Sequence, residues 1–309
     1  RLGFSDMTIL DAYSWMLIGD KSLRPIIETA YHVRPDLGFI GKTLKENGLN
    51  GLNGLKEIEP KVFTPIIMMK AERMSSAKEI IKQIGKCLVE PKFDGFRLQV
   101  HYLRSDPRRG SDPVAKVKLF SRSLEDVTYM YPDIVEGVKQ EIKAEELIIE
   151  GEAIGYNPKT GEFLPFQETV QRKRKYDIGA KSIEVPLKLF AFELLYLNGE
   201  NFIKKPFIER RKALEEVTIK NKDISKQIIV VDHQEEVESP ERLEEIFDQA
   251  VAKKLEGVIA KKIVGIYQPG ARGWNWIKYK RSYSSKINDT IDCLVMGYDY
   301  GRGKRTDFG

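Results

Sequence analysis

The sequence predicts an α+β fold, with an all-helical first part followed by mixed strands and helices. Three observations lead there. Apolar residues recur at helical spacing near the N-terminus, a period-two alternation replaces it from about Cys87, and helices interrupt the strands without a regular βαβ rhythm. No Gly-x-Gly-x-x-Gly is present, so a dinucleotide-binding parallel sheet has no support. With 309 residues and 41% hydrophobic composition, the chain can bury a core in two domains or one large one.

Taken in order, Ile9, Leu10, Tyr13, Leu17 and Ile18 share one helical face, and Ile26, Ile27, Ala30 and Tyr31 share another. The glycine-rich run at 48–55 is too short for a repeat and reads as a turn. Pro60 and Pro65 mark a domain boundary. Residues 96–102 alternate as a half-buried strand, and 117–120, 147–154, 187–196 and 228–231 are further strands. Residues 105–113 read as a polar hairpin loop. Ser239 followed by Pro240 opens a helix whose face carries Leu243, Ile246, Phe247, Ala250 and Val251. The polar run 281–285 reads as a hinge, and 290–298 as the first strand of a further domain.

Charge and cysteine content narrow the function classes. Lys plus Arg number 51 against 46 for Asp plus Glu, so the net charge of +5 permits a polyanionic partner without demanding one. Cys87 and Cys293 form no Cys-x-x-Cys pair, which argues against structural zinc and excludes a disulfide framework. A reducing, intracellular compartment is expected. No apolar run approaches the ~20 residues of a membrane span, and the first residues lack a signal-peptide core. With no initiator Met and a polar end at 304–309, the chain reads as a piece of a longer protein. His32, His101 and His233 are scattered and suggest no triad or metal cluster.

The chemistry concentrates in Glu90-Pro-Lys92-Phe-Asp94-Gly95-Phe-Arg97. A Lys followed by Asp-Gly at this spacing arises by chance in roughly one chain in ten of this size. A turn between strands accounts for Asp94 and Gly95. It does not account for a Lys at the end of an apolar strand, where burial is costly without a purpose.

The residues downstream make the signal specific. Phe120-Ser-Arg122 closes a strand, Glu150-Gly-Glu152 follows, and then come Phe192 and Glu193 within 190–199. Glu256-Gly-Val-Ile-Ala-Lys261 and Trp274-Asn-Trp-Ile-Lys278-Tyr-Lys280 complete the series. In this order the segments resemble the collinear motifs of the nucleotidyltransferase superfamily of DNA ligases, RNA ligases and capping enzymes. Within it, the chain is most similar to ATP-dependent DNA ligases of the archaeal and eukaryotic replicative type. The resemblance spans nearly the whole chain, including the basic runs 171–175 and 301–305. Ser123 stands where the family often has Asn, and Glu193 where it often has Asp.

The resemblance implies that residues 1–60 are the C-terminal part of a helical DNA-binding domain. Residues 61–281 would be an ATP-grasp-like adenylation domain with two antiparallel sheets around the nucleotide, and 282–309 a hinge and the first part of an OB-fold. It implies a ligase reaction in three steps: Lys92 takes AMP from ATP, AMP passes to the 5′-phosphate of a nick, and the 3′-hydroxyl displaces AMP. Glu90 would read the adenine amino group and Phe192 would stack on the base. Arg97, Arg122, Glu152, Arg272, Lys278 and Lys280 would line the nucleotide site. The implied substrate is nicked double-stranded DNA in replication, repair and recombination. A sliding clamp is a candidate partner, and a monomer is the expected working unit. The expected compartment is the cytoplasm of a prokaryote or the nucleus of a eukaryote.

Elementary chemistry agrees with these roles. A lysine nucleophile must be uncharged, and burial with Arg97, Lys278 and Lys280 nearby favours that form. The same cations would neutralise the triphosphate. Carboxylates beside phosphates need a cation between them, so Glu152 and Glu256 imply Mg²⁺. Blander readings stand beside these: Phe192 as an ordinary core residue, the two glutamates as surface carboxylates paired with Lys, and 172–175 as a solvated basic run or a DNA-phosphate contact. An RNA ligase or capping-type enzyme shares the lysine chemistry but does not resemble the helical N-terminal part. An NAD-dependent ligase lacks support in that part too. A DNA-clamping module with a decayed site is opposed by intact Lys92, Glu152, Glu256 and Lys278.

Overall fold

The computed structural model describes residues 3–104, 115–174, 176–221, 223–280 and 297. The expected hairpin loop 105–113, Lys175, the hinge 281–285, Cys293 and the basic run 301–305 lie outside the described residues, as does the strand 290–298 apart from Gly297.

Four helices open the chain: α1 (Asp6–Ile18), α2 (Arg24–Val33), α3 (Leu37–Asn47) and α4 (Gly51–Lys56). Ser5 caps α1 by accepting from the Thr8 amide, and Asp36 caps α3 by accepting from Phe39. Gly19, in the left-handed region, ends α1. Leu10, Ile27, Ala30, Ile40, Leu44 and Leu55 close into one cluster. The turn expected at 48–55 is instead a short 3₁₀ segment (Gly48–Asn50) running into α4. Burying Leu52 and Leu55 against the other helices outweighs the poor helix propensity of the glycines. Gly51 is needed there, because a Cβ would lie 2.8 Å from the Thr43 carbonyl oxygen.

Beyond a linker come β1 (Lys70–Met74), α5 (Ala77–Ile84), β2 (Cys87–Lys92), β3 (Phe96–Leu103), β4 (Lys116–Ser121), α6 (Pro132–Glu141) and β5 (Glu146–Gly155). Then follow α7 (Phe166–Thr169), α8 (Ile178–Glu184), β6 (Leu187–Leu197), β7 (Glu200–Asn201) and α9 (Phe207–Val217). The series closes with β8 (Ile229–Val230), β9 (Glu235–Val237), α10 (Pro240–Ala252), β10 (Gly257–Lys262) and β11 (Arg272–Lys280). The strand expected over 228–231 thus shrinks to two residues.

The strands form two sheets, ordered β1-β11-β10-β2-β9 and β4-β3-β5-β6-β7, with β8 on β6. Pairing is antiparallel except for β1 with β11 and β6 with β8, which are parallel. The outer face of the first sheet (Val89, Val258, Ala260, Ile277, Tyr279) packs on α5 and α10 through Ile80, Leu243 and Phe247. The outer face of the second (Leu98, Val100, Leu147, Ile149, Leu189) packs on Ile134 and Val138 of α6 and Leu214 of α9. Between the sheets, Ile66, Met69, Ile148, Leu195, Tyr267 and Trp276 form a further core.

β3 is buried on both faces, not half-buried as its alternation suggested. Its polar positions are covered by the linker. The Ile66 amide donates to Gln99 Oε1 (2.7 Å), Gln99 Nε2 donates back to the Ile66 carbonyl (3.0 Å), and the Phe63 amide donates to His101 Nδ1 (2.9 Å). Among the described residues, no helix is long and apolar enough to cross a membrane.

Candidate active site

Alternation along strands places the chemistry. On β2, β10 and β11, Val89, Val258, Ala260, Ile277 and Tyr279 enter the outer core. The intervening Glu90, Lys92, Ile259, Lys261, Trp276 and Lys278 face a cleft between the sheets. From the other sheet, β3 and β5 set Arg97 opposite Glu152 and Gln99 opposite Glu150. The cleft has a volume of about 680 Å³. Arg122 and Arg272 stand at its exposed rim. A smaller cavity of about 50 Å³ adjoins it, bounded by Glu90, Lys92, Glu152, Phe192 and Arg211.

Lys92 ends β2, and its ammonium pairs with the Glu256 carboxylate, whose other oxygen takes Lys280. The Glu256 amide donates to the Lys92 carbonyl (3.1 Å), so backbone and side chain tie the two residues together. Two glycines allow close backbone packing around Lys92. A Cβ at Gly95 would lie 2.2 Å from the Ala153 carbonyl oxygen. One at Gly257, where φ is +144°, would lie 2.1 Å from that of Tyr279.

The cations and acids here perturb one another. Burial and then the neighbouring charges of Arg272, Lys92, Arg122 and Arg73 lower the pKa of Lys278. Burial, then Lys92, lowers that of Lys280. Burial raises the carboxyl pKa of Glu152 against the opposing charges of Lys92 and Arg97 and the Gly95 amide.

Beneath the cleft, Arg97 is fixed. It donates to the Met69 carbonyl (2.7 Å) and to Glu150 (2.5 Å), and Glu150 also accepts from Gln99 and Tyr267. Phe192 is half-buried, lines the cleft and meets Trp276 edge-to-face at 6.0 Å, so it is at once a core and a cleft residue. Glu90 is buried; it accepts from Gln234 Nε2 (2.6 Å) and pairs with the Lys261 ammonium.

All the residues expected at the nucleotide site adjoin this cleft or Lys92. The basic run at 172–175 behaves differently. Arg172 is buried and paired with Asp133 (2.6 Å), which removes it from solvent, and Lys173 lines the cleft. Sequence reasoning gave no role to Lys261, Glu150, Tyr267 or Gln234. The first two carried a signal: Glu150 shares a strand face with Glu152, and Lys261 is a charge inside an apolar strand. Tyr267 and Gln234 sit in loops and carried none. Among the described residues, no three acidic, His or Cys side chains gather as a metal site. Glu152 and Glu256 do flank Lys92 from the two sheets.

Comparison with known proteins identifies the architecture. The family model for the ATP dependent DNA ligase domain matches residues 68–280. A "Probable DNA ligase" of Dictyoglomus thermophilum is 48% identical over 311 residues, covering 100% of this chain and 50% of that protein. A "DNA ligase" of Sulfophobococcus zilligii is 44% identical over 308 residues, covering 99% and 48%. The chain thus spans about half the length of the curated relatives it matches. The solved structure named Pmar-Lig_PreS3 is 20% identical with a TM-score of 0.50, over 75% of this chain and 50% of that one, a likeness of fold. By its matched domain and by relatives alike along its whole length, the chain belongs to the ATP-dependent DNA ligase family.

Proposed function

We propose that this chain carries the adenylation chemistry of a ligase that seals nicks in duplex DNA. The observation that carries the reading is Lys92, held at a strand end between Glu256 and Glu152 in a cleft walled by Arg97, Arg272 and Lys278. The neutral Lys92 amine attacks the α-phosphorus of ATP. A P–N bond forms, the bond to the pyrophosphate oxygen breaks, and the amine loses its proton. A 5′-phosphate oxygen then displaces Lys92 from the adenylate, and the 3′-hydroxyl oxygen displaces AMP.

In this reading the cations hold the triphosphate, Phe192 takes the face of the base and Glu90 its amino edge. The half-buried Glu152, whose charge burial disfavours, suits Mg²⁺, which binds through one or two carboxylates together with phosphate oxygens. Glu256 would serve as the second carboxylate. When bound, the ion supplies neutralisation of phosphate charge. The helical part up to residue 60 would grip the DNA, and 61–281 would be the adenylation unit.

Incubating the full-length protein with α-labelled ATP and Mg²⁺ should give a covalent adenylate, and labelled NAD should give none. Lys92→Ala should abolish the label, and so should Lys92→Arg, whose guanidinium stays protonated. Label retained on either folded variant would overturn the assignment.

A further inference from the structure

Lys261 is fully buried, and the nucleotide chemistry just described gives it no direct part. Its ammonium pairs with one oxygen of Glu90 and donates to the Phe192 carbonyl (2.8 Å). It also lies 5.0 Å from the Phe192 ring centre and 4.7 Å from that of Trp276. One buried charge therefore touches both residues assigned to the base, the edge reader and the stacking ring. The other Glu90 oxygen accepts from Gln234, and Arg211 stands 4.0 Å away.

We infer that Lys261 and Gln234 are positioning residues for base selection, which lock Glu90 as a charged, acceptor-only carboxylate. The inference rests on Glu90 facing the 6-position of the purine. An ionised carboxylate accepts but cannot donate. It therefore welcomes a 6-amino group and repels a 6-oxo group, so the site takes adenine and rejects hypoxanthine or guanine. Left without its buried counter-charge, Glu90 would no longer have its two oxygens held as acceptors against the base edge, and the bar to a 6-oxo group would weaken.

The groups facing Glu90 support the locked form. They are Lys261 from β10, Arg211 from α9, Gln234 and Asp232 from the segment between β8 and β9, Lys92 on its own strand and Glu152 across the small cavity. The cations among them outnumber the acids. Burial lowers the pKa of Lys261, but Glu90 and Glu193 act to keep it charged.

The test compares covalent labelling rates of the full-length protein with α-labelled ATP and α-labelled ITP. ITP carries a 6-oxo group and, unlike GTP, no 2-amino group, so it isolates the edge in question. Lys261→Met should lower the ATP-to-ITP rate ratio roughly tenfold, the equivalent of about 1.4 kcal/mol in discrimination. Gln234→Leu should lower it severalfold and decides the matter alone if Lys261→Met does not fold. A purely structural role would slow both nucleotides together and leave the ratio unchanged. Glu90→Gln serves as the reference, since a carboxamide presents either donor or acceptor and should erase the preference. If Glu90→Gln lowers the ratio while folded Lys261→Met and Gln234→Leu keep it, the positioning role is wrong. If Glu90→Gln itself keeps the wild-type ratio, Glu90 does not read the base, and the inference falls with that reading.

Discussion

Glu150 and Glu152 stand two residues apart on one face of β5 and have opposite fates. Glu150 is fully buried and neutralised by Arg97, with Gln99 and Tyr267 donating to it as well. Glu152 is half-buried at the cleft, and burial holds its carboxyl above the usual pKa. An acid with a raised native pKa contributes stability that is complete below its unfolded pKa and is lost as pH rises through the native value. At neutral pH the charge on Glu152 therefore works against the fold, in keeping with the cation-binding role proposed for it. Glu152→Gln should melt at or above the wild-type temperature at pH 7–8, lose that advantage towards pH 4, and fail to label. Glu150→Gln strands the charge of Arg97 and should cost about 3–5 kcal/mol. Melting curves beside labelling rates separate the two. A Glu152→Gln variant that melts as low as Glu150→Gln, with labelling intact, would make Glu152 a structural residue.

Strands explain how much of the site was legible in the sequence. Period-two alternation carries Glu90 and Lys92, Arg97 and Gln99, and Lys278 and Lys280 to shared faces, so collinear motifs become one cleft. What alternation does not show is what covers a strand's second face, and β3 was misread for that reason. The glycine run at 48–55 was misread because propensity is local and the burial of Leu52 and Leu55 is not. The cap of α10 was plain: Ser239 accepts from the Arg242 amide (3.2 Å), with Pro240 in the first turn. Ser239→Ala should cost about 1 kcal/mol and leave labelling unchanged. Gly257→Ala should behave otherwise. It forces a left-handed residue and a contact with the Tyr279 carbonyl at the strand start that aligns Glu256 with Lys92 and Lys280. Its labelling rate should fall at least about tenfold, beyond what its loss of about 1–3 kcal/mol in stability explains at temperatures where it is folded. Unchanged labelling in Gly257→Ala would show that this register does not set the position of Lys92.

Across the whole molecule, the linker between the helices and the sheets is fastened by side chains in place of a strand ladder. Gln99 mimics a paired strand towards Ile66, and the Ile67 amide donates to the His32 carbonyl (2.9 Å) in α2. Gly270, whose amide donates to Ile67, packs so close that a Cβ would lie 2.6 Å from the His32 ring. A further fastening is His101, which accepts from Phe63 at Nδ1 and contacts Gln99 Oε1 through Nε2 (2.9 Å). This arrangement requires the neutral ring with its proton on Nε2. Burial, followed by the charge of Lys118, accordingly pushes the His101 pKa down to about 3. A base with a depressed native pKa contributes stability that is present above its unfolded value of about 6.5 and is lost as pH falls towards the native one. The slope is at most about 1.4 kcal/mol per pH unit. Carboxylates add their own acid dependence, so the informative quantity is the difference between wild type and His101→Gln. At pH 7 the variant should melt lower, having lost a fitted ring. The gap should narrow as pH falls from 6.5 to 4, because only the wild type must take up a proton on a buried imidazole. Hydrogen exchange at the Ile66 amide should accelerate over the same range in the wild type, relative to the variant. A gap that stays constant with pH would mean that burial does not depress the His101 pKa, and that its protonation does not loosen the linker.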